Sequence, residues 1–398
     1  MVNQEYKALG NSPNVIRELF MYGLERKKKL GEEHVFDFTL GNPSIPAPEE
    51  VKTGIKTILD TQEPLKVHGY SPSAGDSEAR EAVAADLKSR FGVDVKGREI
   101  FLTCGAAPAL ISVIKALMPE KGSEIMVIAP FFMEYRPFIE SNGGKCVVVP
   151  PDMGDFRRID LEAAERLISE RTQAIIVNSP NNPTGAVYPE DVLRALADLL
   201  ERKSAEFGHP IYIIADEPYR ELVYDGVEVP FIPSLYKNTV VCYSYSKSLS
   251  LPGERIGYVY VPSFADDSED LFNAVAGAAR ISGHICAPTL FQKVIAACAD
   301  KRPDLRAYDE NRRLLYDNLR EMGYECVRPQ GAFYLFVKAP NSDANVFSER
   351  AKLGHDLLVV PSDAFGCPGY LRVSYCVSKQ TIINSFPAFR AVMEELGV

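Results

Sequence analysis

The sequence predicts an α/β protein, a mostly parallel sheet with helices on both faces, joined to a smaller α+β unit. Three observations carry that prediction. From Glu99 to about Tyr260, strand-like and helical stretches alternate. Seven short apolar runs fall near 101–104, 125–129, 146–149, 174–178, 211–215, 240–244 and 256–260. The clearest of them, Ile211 to Ala215, lacks period-2 alternation, as a parallel strand buried on both faces does.

The elements follow in order. Residues 13–30 read as an N-terminal helix with an apolar stripe of Val15, Leu19, Met21 and Leu24, and with its lysine run in water. A Pro-rich crossing, LGNPSIPAP, leads to a helix from about Glu49. The next helix, DSEAREAVAADLKSRFG, ends near Gly92. After the alternating region the pattern turns helical from about Asp267, and a long helix spans about Asp304 to Met322. The tail mixes the strand-like runs YECVRPQ, GAFYLFVKA, DLLVVPSDAFG and YLRVSYC with a last helix from about Lys379. The expected division is an arm at 1–50 that belongs partly to the small domain, a large ligand-binding domain at 51–285, and a small domain at 286–398.

A formal charge of −10 argues against a broad nucleic-acid footprint, which favours a basic face. None of the eight cysteines forms a CxxC pair, and most sit in apolar patterns, as buried free thiols do. The five histidines show no metal-ligand spacing, so no metal is expected. No stretch reaches the ~20 apolar residues of a membrane span. The N-terminus lacks the basic start and apolar core of a signal peptide, which makes the cytoplasm the expected compartment.

The chemistry concentrates at strand ends. In VCYSYSKSLSLPGERIGY, Lys247 lies among hydroxyls and Arg255 follows it. A lysine so placed suits covalent catalysis through its amine, and Ser244, Ser246 and Arg255 suit a phosphate. Together they suggest pyridoxal 5′-phosphate (PLP). The run also fits a surface lysine in a turn closed by Pro252 and Gly253. Asp216 ends the apolar run of IYIIADEPYR, where ligands of open α/β sheets bind. An acid there keeps a pyridine nitrogen protonated, and Tyr219 is placed to reach the ring's phenolic oxygen. A helix N-cap is the plainer role for Asp216. Asn182, in AIIVNSPNNPTG, follows a third such run, though NNPTG alone also reads as a turn.

SPNNPTG, ADEPY and SYSKSLSLPGERIGY, in that order, resemble the class I and II aminotransferases of PLP fold type I, the aspartate aminotransferase-like enzymes. The resemblance covers nearly the whole chain. It implies that Lys247 carries the cofactor and shuttles a proton, that Asp216 pairs with the pyridine nitrogen, and that Asn182 and Tyr219 bond the phenolic oxygen. It implies phosphate ligands at Ser244, Ser246, Arg255 and the backbone of Ala106 and Ala107 in FLTCGAAPAL, a stretch that also reads as an ordinary helix start. Phe132, in IMVIAPFFMEY, matches the aromatic stacked on the ring, with Phe131 and Tyr135 open to core roles. Arg372, in GYLRVSYC, matches the clamp on the substrate α-carboxylate; by itself it also fits an edge strand facing water. Gly41, beside Asn42, is a backbone contact to substrate. Tyr70, in HGYSPSAG, matches a tyrosine that reaches the neighbouring subunit's phosphate, which implies a homodimer with shared sites.

The implied reaction moves an amino group from an L-amino acid to a 2-oxo acid. Lys66, Arg136 and Arg280 are candidates for a second cation that would hold a distal carboxylate, and the aromatic residues near Phe131, Phe132 and Tyr334 also suit an alanine-like or aromatic substrate. Carbon–sulfur β-lyases share the fold and ring contacts and form the enzymatic alternative. A non-catalytic PLP-binding domain is the remote one.

Overall fold

The computed structural model describes residues 2–11 and 14–397. After a short strand β1 (Phe36–Asp37), seven strands form the main sheet: β2 (Ile100–Thr103), β3 (Glu124–Ile128), β4 (Lys145–Val149), β5 (Thr172–Asn178), β6 (Tyr212–Asp216), β7 (Thr239–Ser244) and β8 (Gly257–Tyr260). Their order is β2-β8-β7-β6-β5-β3-β4. β8 runs antiparallel to both neighbours, and the other pairs are parallel.

Both faces of this sheet are dry. Ile213 and Ala215 of β6 point into one core with Ile175, Val177 and Val241. Tyr212 and Ile214 point into the other with Ala174, Ile176 and Val240. Successive side chains on a strand face opposite ways, so a strand covered on both sides must be apolar throughout. Helices Ser77–Phe91 and Glu190–Phe207 cover the first face; Ala106–Ala116 and Ser268–Ile281 cover the second. Helix Thr289–Cys298 also packs into the first core through Phe291, Val294 and Ile295. That core therefore runs past the boundary expected at residue 285, because this helix lies against Glu49–Thr61 and Ser77–Phe91.

A second sheet, ordered β12-β13-β10-β9, is antiparallel: β9 (Cys326–Val327), β10 (Tyr334–Lys338), β12 (Val360–Pro361) and β13 (Tyr370–Ser374). β11 (Leu357–Leu358) pairs in parallel with β1, which ties the N-terminal arm to the small unit. Helices Arg306–Glu321 and Lys379–Glu395 supply Leu315, Leu319, Phe389 and Val392 to its core.

The N-terminal helix spans Val15–Leu30 and is capped by Asn14, whose side chain accepts from the Arg17 N–H. Position 13 of the expected helix lies outside the described residues. Leu19 and Gly23 are buried, whereas Met21 is 51% exposed and does not belong to the stripe. Two residues along a helix turn the side chain about 200°, so Met21 faces away from Leu19. Among the described residues no helix is long and apolar enough to cross a membrane, and no cluster of His, Cys, Asp and Glu could hold a metal ion.

Candidate active site

β5, β6 and β7 end side by side. In register, Asn178 pairs with Asp216, and Asp216 with Cys242. The ladder thus reaches Asp216 itself before Pro218 stops it. Beyond these ends lies a cavity of about 500 Å³. Ten residues singled out in the sequence line it: Gly41, Ala106, Ala107, Phe132, Asn182, Asp216, Tyr219, Lys247, Tyr334 and Arg372.

Asp216 is fully buried. Its Oδ2 accepts from the Tyr135 hydroxyl at 2.5 Å, while its Oδ1 has no partner among the described residues. Burial pushes its carboxyl up to about 7, against the pull of the Tyr135 hydrogen bond. The Asp216 carbonyl accepts from Asn178 Nδ2 at 2.8 Å, and Asn178 Oδ1 accepts from the Asn182 N–H at 2.8 Å. Asn178 thereby sets the height of Asn182 relative to Asp216.

The turn after β7 presents Lys247. Ser244 Oγ accepts from the Ser246 N–H at 3.2 Å and lies 2.7 Å from the Ser246 hydroxyl. Half-buried Lys247 donates from Nζ to the Gly41 carbonyl at 2.6 Å. Burial lowers its amine to about 8, with Arg255 and Arg372 adding to the shift and Cys376 opposing it. Gly41 is held against Tyr334: a Cβ there would overlap the Tyr334 hydroxyl.

Ser244, Ser246 and Arg255 do not line the cavity; they stand beside Lys247 and Gly105. A Cβ on Gly105 (φ 89°) would come within 2.7 Å of an Arg255 guanidinium nitrogen, so glycine is what lets Arg255 lie over the start of helix Ala106–Ala116. Among the described residues no side chain caps that helix N-terminus. Arg255 and the first N–H groups of that helix stand together, where an anion is favoured.

Arg372 faces the strand ends from the middle of β13. It is buried, donates to Asn182 Oδ1 at 3.1 Å and to the Thr39 carbonyl at 2.5 Å, and its Nε has no partner among the described residues. Its guanidinium lies 4.6 Å from the Tyr334 ring centre and 5.3 Å from that of Phe365. It is a central-strand residue, not an edge arginine in water. The Tyr334 and Tyr219 hydroxyls lie 2.9 Å apart, and burial holds both above the usual phenol range. Phe132 lines the wall and packs edge-on to Tyr135, with ring centres 5.6 Å apart.

One residue set departs from expectation: Lys66, Arg136 and Arg280 do not line the cavity, and Arg136 is paired with Glu140 at 2.9 Å. Tyr70 is 89% exposed on its own chain and lies outside that chain's cavity. Asn14, Ile16, Arg17, Phe20 and Glu134 line the mouth unforeseen. Arg17 reads as the solvated face of an amphipathic helix and Asn14 as its cap, while Glu134 precedes another helix, Tyr135–Glu140. Asn178 carried a usable signal, the same apolar-to-polar break that marks Asn182.

The sequence profile described as "Aminotransferase class I and II" matches residues 33–384. The chain belongs to this aminotransferase family. It is similar to the aspartate aminotransferase of Pyrococcus abyssi, at 30% identity over 96% of both chains. It is similar to aromatic-amino-acid aminotransferase 2 of Thermococcus litoralis, at 29% identity over 96% of both. A crystal structure of an amino transferase from Eubacterium rectale superposes with a TM-score of 0.97, at 48% identity over 100% of both chains. The protein is an amino-acid aminotransferase of PLP fold type I, and its family depends on PLP.

Proposed function

We propose that this aminotransferase holds PLP on Lys247 and grips its amino-acid substrate by the α-carboxylate through Arg372. The observation that carries the reading is the orphaned Oδ1 of Asp216, buried at the end of β6 in the cavity that Lys247 and Arg372 share. A buried acceptor without a donor is costly, and a protonated ring nitrogen is the donor that fits it. When bound, the cofactor supplies an aldehyde for the substrate amine and a cationic ring that draws electrons from Cα.

The chain's own residues divide the remaining work. Asp216 keeps the ring nitrogen protonated. With its amine lowered to about 8, Lys247 has a usable neutral fraction near neutral pH, first to bond the cofactor and then, once freed, to move the Cα proton. Arg372 donates to Asn182 Oδ1, which leaves the amide nitrogen of Asn182 as the donor toward the ring oxygen, with Tyr219 beside it. Phe132 covers the ring, and Gly41 contacts the substrate through its backbone. The phosphate sits among Ala106, Ala107, Ser244, Ser246 and Arg255.

Borohydride reduction of the loaded protein, followed by peptide mass spectrometry, tests the assignment. The cofactor should be fixed on the peptide containing Lys247; fixation on another lysine refutes it.

The working unit in this reading is a homodimer in which Tyr70 reaches the neighbour's phosphate. Supporting it, Tyr70 stands out from its own chain on a loop tied down by bonds from Thr289 to Gly69 and from Gln292 to Ser71. Leu65, Ile281 and Ile285 are exposed as well, at 79%, 76% and 60%. Light scattering should give twice the chain mass. Eight unpaired cysteines support a reducing compartment, the cytoplasm. The division into 1–50, 51–285 and 286–398 is kept with one amendment, that helix Thr289–Cys298 stays with the large core.

A further inference from the structure

Names of relatives at nearly equal identity point to different amino acids, so the substrate must be read from the cavity. Among the described residues, the cations in its lining are Lys247, Arg372 and Arg17. The first two have roles at the cofactor and the α-carboxylate. Arg17 has none.

Arg17 sits in the first turn of helix Val15–Leu30, and that turn is pinned. Asn14 Oδ1 accepts the Arg17 N–H at 2.9 Å, and Asn14 Nδ2 donates to Glu134 Oε1 at 2.5 Å. The backbone of Arg17 is thereby fixed at the mouth, while its guanidinium makes no ion pair or side-chain hydrogen bond among the described residues. A cation in a helix's first turn is opposed by the helix dipole, and an anion brought there meets both positive charges. Glu134, the other charged group at the mouth, is engaged by Asn14. Ile16, Phe20 and Leu110 line the wall and suit a short aliphatic stem.

We infer that Arg17 receives the side-chain carboxylate of an acidic amino acid, and that of the matching 2-oxo diacid on the return half-reaction. Dicarboxylic substrates are then the preferred class. The inference rests on Arg372 taking the α-carboxylate. Arginine stays charged at every working pH and matches a carboxylate with its fork.

The test compares L-glutamate with L-norvaline, which has a stem of similar length and no distal charge. Saturating pyruvate serves as acceptor, so that the return step makes no call on Arg17. In the PLP-loaded Arg17→Met enzyme, the ratio of kcat/KM for glutamate to that for norvaline should fall about tenfold or more. A fall of less than fivefold overturns the assignment. Arg17 is exposed and methionine is a good helix former, so folding is not at stake. If the parent enzyme turns over neither amino acid, pyruvate, which lacks the second carboxylate this site favours, is the failing acceptor, and the kinetic arm is replaced by binding. Calorimetry then still decides on Arg17: the variant should lose at least fivefold in affinity for succinate relative to butyrate. Equal loss for both, or none, overturns it.

Discussion

The two walls of the cavity are built in opposite ways. On one, Asn178 and Asp216 each end a parallel strand, where the backbone ladder stops and a polar side chain lines the cavity. On the other, Arg372 sits mid-strand between Val360 and Phe336 and must find its partners inside the fold. It finds two oxygens and two aromatic rings, and one nitrogen stays orphaned. A strand end therefore places a functional group without disturbing the backbone ladder, its cost being the desolvation of that group, whereas a central-strand charge is shared between folding and binding.

The largest expected effects test that contrast directly. Lys247→Ala should lose turnover by well over ~10²–10⁴-fold, since both the covalent tether and the base disappear. Its melting temperature without cofactor should barely move, because among the described residues the amine makes one hydrogen bond, to the Gly41 carbonyl, and one contact over the Phe333 ring at 5.4 Å. Arg372→Leu should lower kcat/KM for every amino acid about 30-fold or more, mainly through KM, as roughly 2–5 kcal/mol of charge pairing goes. It should also lower the melting temperature, with the Thr39 carbonyl and Asn182 left without a donor. Equal melting shifts for the two variants would break the contrast.

The same contrast explains what the sequence disclosed. Apolar runs that break into Asn, Asp or Ser announce strand ends, so Asn182, Asp216 and the Lys247 turn were legible, as were all seven strands to within two residues. Arg372 showed only a charge in a strand pattern. Its partners, Thr39 and Asn182, lie 333 and 190 residues away, and no local pattern reports them. Arg17 was hidden because a helix face turned to a cavity and one turned to water have the same composition. Tyr135 was left between core and site, and it is in both: its ring packs in the core while its hydroxyl holds Asp216.

A smaller effect sharpens the strand-end side. In the cofactor-free protein Asp216 titrates near 7, above the ~3.9 of an unfolded chain. Between those values the unfolded chain releases a proton that the fold retains, so stability falls as pH rises and levels off above about 7. Asp216→Asn does not titrate. The variant should gain on the parent from pH 4 to pH 7, by up to roughly 4 kcal/mol, read as chemical denaturation midpoints at each pH. Loading with PLP should raise the parent's melting temperature more than the variant's, because only the carboxylate pairs with the ring nitrogen. A gap that stays flat with pH would place Asp216 in water.

The smallest effect separates Tyr135 as a support of Asp216 from Tyr135 as mere packing. Its hydrogen bond stabilises the carboxylate and works against burial, so Tyr135→Phe should raise the Asp216 midpoint above its value of about 7. Cofactor binding reads that midpoint, because the ring nitrogen is held by the ionised form. Lys247, at about 8, would blur the profile, so the comparison belongs in the Lys247→Ala background, where binding is noncovalent. There, affinity for PLP should weaken as pH falls through the Asp216 midpoint. Tyr135→Phe should move that fall to higher pH and cost about three- to tenfold in affinity at pH 7, the share of one charged hydrogen bond once the ring nitrogen offsets part of its loss. A purely structural tyrosine would lower the melting temperature and leave the midpoint where it was. Because the strand end itself stays intact, the shift in midpoint is the outcome the architecture demands.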